Sequence, residues 1–200
     1  MRGSRLRAAL SLTALLFAGC ASAPRRDAAP VAPPAWLAAP AVWRIRQVVL
    51  IEFGEAKIPI QGLFELDTAA GTVRLAALDD FGVTLFRLSV TRTSEQVDFM
   101  LPLVPHGADV ARSVAASLRR VYLEPGVVVP GAEGIFFESA ADGSVATASP
   151  RGNNGWKVWY TEYGDADGVP VPRLIRYKER GGASLTIRQE SVKRVDEKSL

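Results

Sequence analysis

The sequence has 200 residues, 48% of them apolar and 22% charged, with one cysteine and one histidine. Three of the 24 basic residues and none of the 21 acids fall in residues 1–19, so the remainder carries 21 bases against 21 acids and no net charge. The basic pI of about 9.2 therefore belongs largely to the leader and gives no footing to nucleic-acid binding. A lone cysteine also rules out an internal disulfide, so the folded part must rely on its apolar core.

The leader comes first. Arg2, Arg5 and Arg7 precede an apolar run from Ala8 to Ala18, broken only by Ser11 and Thr13. That is the length of a secretory h-region, and it falls short of the roughly 20 apolar residues that span a bilayer. The segment closes with Leu16-Phe17-Ala18-Gly19-Cys20, which resembles the lipobox of bacterial lipoproteins. The resemblance implies a signal peptide over 1–19, cleavage before Cys20, and lipid on its thiol, with two or three acyl chains (palmitate-like) holding the protein on a membrane. An Asp after the cysteine favours inner-membrane retention in such proteins. Ala21 stands there instead, so the resemblance implies the periplasmic side of the outer membrane.

Residues 20–41 are expected to form a tether. Between Ala21 and Pro40 there are eight alanines and five prolines, a composition that favours extended, polyproline-like chain. Pro30, Pro33, Pro34 and Pro40 weigh against a first helix in this stretch. A single globular domain is then expected over 42–200.

Strands dominate the first half of that domain. Val42 to Phe53 is rich in β-branched residues, and Val48-Val49-Leu50-Ile51 is apolar on both faces. Lys57 to Asp67 alternates, with Phe64 and Leu66 on one face and Leu63 and Glu65 on the other. Thr72 to Leu78 places Val73, Leu75 and Ala77 together. Val83 to Val90 does the same with Phe86, Leu88 and Val90, and Gln96 to Met100 with Val97 and Phe99. Short links such as Thr68–Gly71 and Asp79–Gly82 make an antiparallel meander the economical arrangement.

One helix is expected from about Asp109, with Val110, Val114, Leu118 and Val121 along one face and Pro125-Gly126 ending it. Further strands are expected at Ile135–Ser139, Ser144–Ala148, Trp156–Tyr163, Arg173–Lys178 and Ser184–Val195. The class is α+β, mostly antiparallel β.

The stretches Gly71-Thr72-Val73-Arg74-Leu75-Ala76-Ala77-Leu78 and Gly82-Val83-Thr84-Leu85-Phe86-Arg87-Leu88, behind a lipobox, resemble the LolA/LolB class of periplasmic lipoprotein carriers and receptors. They are similar too to a family of short bacterial lipoproteins grouped with that class. The resemblance covers roughly 42–122 and rests on strand order and apolar alternation. It implies a strongly curved sheet or incomplete β-barrel, a covering helix, and an apolar cavity for acyl chains or lipoprotein cargo. Receptors of the LolB type also press an apolar loop residue into the membrane, and among the turns placed here Phe81 is the candidate.

The side chains expected to line such a cavity are Phe64, Leu66, Val73, Leu75, Phe86, Leu88, Val97 and Phe99 from the sheet, and Val110, Val114 and Leu118 from the helix. The same alternation equally describes a solid core, because a filled sheet and a hollow one share one binary pattern. In that case the domain is an envelope module that docks a protein partner and takes no small ligand.

Catalytic and metal patterns are weak. His106 sits between Pro105 and Gly107, with no Gly-x-Ser-x-Gly elbow anywhere. Asp165-Ala166-Asp167-Gly168 opens like a calcium loop, but the twelfth position holds Arg176 where a bidentate glutamate belongs. Asp79-Asp80 is a turn pair. Trp156, Trp159, Tyr160 and Tyr163 fit strand packing as well as a ligand floor. No enzyme, cofactor or metal is expected.

Overall fold

The structure is a computed structural model and describes residues 32–53, 55–125, 135–150 and 155–195. Cys20, the leader and the first part of the tether lie outside these residues. The chain enters through a four-residue helix, α1 (Ala35–Ala38), and then runs through β1 (Val42–Phe53), β2 (Ala56–Asp67), β3 (Thr72–Leu78), β4 (Thr84–Thr91) and β5 (Glu95–Met100). Helix α2 (Gly107–Leu118) follows and continues into a π-helical turn at Arg119–Leu123. Then come β6 (Ile135–Ser139), β7 (Val145–Pro150), β8 (Trp156–Ala166), β9 (Val169–Glu179) and β10 (Ser184–Val195).

All ten strands form one antiparallel sheet in the order β5-β4-β3-β2-β1-β10-β9-β8-β7-β6. Two five-stranded meanders thus meet where β1 pairs with β10, and the described strands leave β5 and β6 as unpaired edges. The α+β, mostly antiparallel class with a covering helix is as expected, and the sheet does not close.

Its curvature follows from what the π-helical turn touches. Arg119 Nε donates to the Thr91 carbonyl at 2.8 Å at one end of the sheet, and the Tyr160 hydroxyl on β8 donates to the Val121 carbonyl at 2.9 Å. On a flat sheet β4 and β8 stand six spacings apart, roughly 29 Å. Five residues span that distance only because the sheet curls around them, so α2 and its extension act as a crosspiece inside the curl.

Alternation decides which side faces the crosspiece. Burial in β2, β3 and β4 switches residue by residue, placing Ile60, Phe64, Leu66, Val73, Leu75, Ala77, Phe86, Leu88 and Val90 inward. Gly62 stands opposite Gln47, and a Cβ there would come within 3.1 Å of the Gln47 side chain, so its bareness makes room for that amide.

The expected tether boundary shifts. Trp36 and Leu37 are buried in the core, and the Trp43 indole donates to the Trp36 carbonyl at 3.1 Å. Pro34 does not prevent the helical turn, because it stands ahead of it, where no N–H is needed and its carbonyl accepts from Leu37 and Ala38. Thr68 then fastens the chain by accepting from Ala41 N at 2.8 Å and donating to the Ala39 carbonyl at 2.7 Å.

Candidate binding site

The inner face carries most of the expected cavity side chains. Phe64, Leu66, Val73, Leu75, Phe86, Leu88 and Leu118 are all buried in one cluster. The Tyr122 ring stands edge-on to Phe64, centroids 4.9 Å apart, and to Trp36 at 5.9 Å. With Trp43, Tyr160 and Tyr177 also buried, the space beside Phe64 is held by the protein's own aromatic side chains.

Four expected positions are not fully buried, and one of them, Phe99, leaves the inner face. Val97 is 44% exposed, and Phe99 lies on the outward face with the Arg87 guanidinium 5.5 Å from its ring centre. A register shift between Arg87 and Leu88 keeps Val97 opposite the inward Leu88 but sets Phe99 opposite the outward Arg87, so a period-two reading cannot carry across it. On α2 the buried positions are Ala111, Ala115 and Leu118, with Val110 and Val114 half-buried at the flank. The helix approaches the sheet on its smallest side chains, which a search for large apolar residues passes over.

The crosspiece is fastened at both ends by arginines. Arg119 bonds the Thr91 carbonyl and forms an ion pair with Glu95 of β5. Arg120, the next residue, reaches the other half of the sheet, donating to the Tyr177 hydroxyl and to the Glu179 carboxylate at 2.6 Å. Burial alone would lower the Arg120 pKa, but Tyr177 and Glu179 outweigh it and the net shift is upward. Burial raises Tyr177, with Arg120 pulling the other way. Glu124, just past the turn, is also raised by burial, against the opposing charges of Arg120 and Arg119. The π-helical turn matters here because Val121, Tyr122 and Leu123 are all buried in succession while Arg119 and Arg120 reach opposite rims.

A small polar island interrupts the apolar interior. Gln47 of β1 and Gln189 of β10 are cross-strand partners, each 3% exposed. The Tyr122 hydroxyl donates to Gln47 Oε1 at 2.9 Å. Burial drives the Tyr122 pKa well above the ordinary phenol range; Gln189 lies beside it and opposes that rise, yet neither of its amide atoms meets hydrogen-bonding geometry. The Trp36 indole N–H is likewise unpaired.

The remaining candidates are placed as follows. His106 is exposed in a left-handed conformation at the start of α2, and Asp109 loads the first turn and pairs with Arg112. Asp79 Oδ1 accepts from Phe81 N and Val83 N, building the turn that presents Phe81. Asp165 and Asp167 belong to the β8–β9 hairpin, accepting from Gly168 N and Arg194 N. Tyr160 and Tyr163 bond backbone carbonyls, and burial, then Asp142, pushes the Tyr163 phenol up to about 12. Trp159 faces outward beside Lys157. Among the described residues no three His, Cys, Asp or Glu side chains converge as metal ligands, and no helix is long and apolar enough to cross a membrane. Sequence reasoning missed Arg119, Arg120, Gln47 and Gln189, since a single polar residue in a strand or helix carries no signal of its partner.

No family model and no curated protein matches the chain. Solved structures do resemble it. A LolA superfamily protein from Nitrosomonas europaea matches at 9% identity and TM-score 0.48, covering 78% of this chain and 87% of that one. A domain from Vibrio parahaemolyticus described as an outer membrane lipoprotein-sorting protein matches at 6% and 0.44, covering 80% and 88%. A DUF1329 family protein from Desulfovibrio piger matches at 8% and 0.41, covering 81% and 89%. These are likenesses of strand arrangement.

Proposed function

We propose that this chain is a noncatalytic envelope lipoprotein, anchored through Cys20 to the periplasmic side of the outer membrane. It takes up an acyl chain, free or on a lipoprotein, between the sheet and its crosspiece. The observation that carries this reading is the fastening of the crosspiece. An apolar inner face of an unclosed sheet is covered by a segment held at its rims by Arg119 and Arg120 and inside by two neutral bonds, Tyr122 to Gln47 and Tyr160 to the Val121 carbonyl. Lifting the segment breaks the charge-assisted bonds, about 1.5–3 kcal/mol each, and the two neutral ones, about 0.5–1.5 kcal/mol each. Burying a chain of about fifteen methylenes returns about 12 kcal/mol gross. The guest would replace Tyr122 of the lifted segment against Phe64 and the neighbouring Leu66, Val73, Leu75, Phe86 and Leu88.

Membrane contact is supported at one end of the sheet. Phe81 is 92% exposed in the β3–β4 turn and Leu103 84% exposed after β5, both beyond the end of the β4–β5 pair where Leu101 N bonds the Leu85 carbonyl at 2.8 Å. A second reading, an envelope module that docks a protein partner, is favoured by the aromatic filling beside Phe64.

Native and denaturing mass spectrometry of the protein extracted from membranes separates the two. The carrier reading expects fatty acid or phospholipid mass present natively and lost on denaturation. Equal masses would leave the docking reading.

A further inference from the structure

The outward face of the sheet, opposite the crosspiece, holds an open groove of about 790 Å³. Its walls follow from strand register. One cross-strand row runs Arg87, Ala76, Leu63, Arg46, Ser191, and the next runs Ser89, Arg74, Glu65, Arg44, Lys193. The first row has a small apolar centre, with Leu63 46% exposed, and an arginine on each side three strand spacings, roughly 14 Å, apart. The second row holds three cations beside Ser89 and Glu65, and Arg44 and Arg74 share Glu65 at 3.4 and 3.5 Å. Arg46 pairs with Glu190 at 2.9 Å. Arg87 and Lys193 have no carboxylate partner among the described residues, and Asp98, the other acid of the groove, accepts from Ser89 and Gln96.

Five cations against three acids, Glu65, Asp98 and the Glu190 that pairs with Arg46, arranged around an apolar strip, match an amphiphilic anion better than a bare one. We propose that this groove binds the phosphate-bearing headgroup of an anionic lipid, with the glycerol and first methylenes lying on Leu63 and Ala76. Guanidinium groups suit phosphate oxygens because they donate in a planar fork, and the exposed Leu63 side chain is covered only if the ligand has an apolar part. The site is on the face away from the crosspiece and does not depend on uptake of an acyl chain.

The test is isothermal titration of the full chain, held in nonionic detergent, with dihexanoyl phosphatidic acid, inorganic phosphate and poly-glutamate. The expected result is binding of the short-chain lipid at least tenfold tighter than that of inorganic phosphate, weakening as salt rises. R87Q/K193Q should lower lipid affinity at least tenfold while the thermal unfolding midpoint stays at the wild-type value, since both side chains are exposed. L63S should remove the preference for lipid over inorganic phosphate. Absence of lipid binding, equal binding of inorganic phosphate, unchanged affinity in R87Q/K193Q, or binding of poly-glutamate alone would each overturn the proposal.

Discussion

Arg120 on the crosspiece and Glu179 on β9 form an ion pair with an N–O separation of 2.6 Å, joining the segment that follows the first meander to a strand of the second. Tyr177 accepts from the same guanidinium and lies 3.3 Å from Glu179. Arg120→Met keeps the aliphatic bulk and removes the donors. It should cost about 1–3 kcal/mol in urea unfolding, and stopped-flow uptake of a fluorescent fatty acid should become faster. A slower or unchanged uptake would count against the crosspiece as the closing element.

Gln189 is buried with both amide atoms unpaired. Gln189→Met removes those groups at similar volume and should stabilise the fold by about 1–3 kcal/mol. Tyr122→Phe should do the opposite, because it leaves Gln47 Oε1 without its donor. Chemical denaturation of the two variants checks the signs.

Ala111 and Ala115, with Leu118, are the buried positions of α2. Ala115→Leu should force the helix off the sheet and cost about 1–3 kcal/mol by overpacking. Val114→Ala, at the half-buried flank, should cost less, and thermal melts of both compare the two faces directly.

Glu124 is raised by burial, so its protonated form is the one the fold favours. Its contribution is fully present below the ordinary carboxylate range and is lost as pH rises through the raised value. Glu124→Gln, which stays neutral, should therefore be more stable than the wild type at pH 7 and indistinguishable from it in acid. Melting curves across that range decide it.

Trp36 belongs to the core despite its place in an Ala/Pro-rich stretch. Trp36→Ala should cost about 3–5 kcal/mol, which a spacer residue would not. Calorimetry gives the value.

Period-two alternation was enough to find the strands of the first meander and to sort Phe64, Leu66, Val73, Leu75, Phe86 and Leu88 onto one face, because a pleated strand ties side-chain direction to sequence parity. The four-residue recurrence along α2 was legible for the same kind of reason, though it passed over the alanines buried between the valines that pack at the flank. Parity fails at a bulge, which is why Phe99 was misplaced, and composition fails at Trp36, where one aromatic residue outweighs its proline neighbours. What the sequence determined by itself was local: the lipobox-like leader, the strands and the helix. Only the tertiary structure decided that β1 meets β10, that Arg119 and Arg120 bridge opposite rims, and that Arg87, Arg46 and Lys193 share one groove. Those relationships join residues from 24 to 153 positions apart in the chain, and they exist only after long-range strand pairing, which no local pattern encodes.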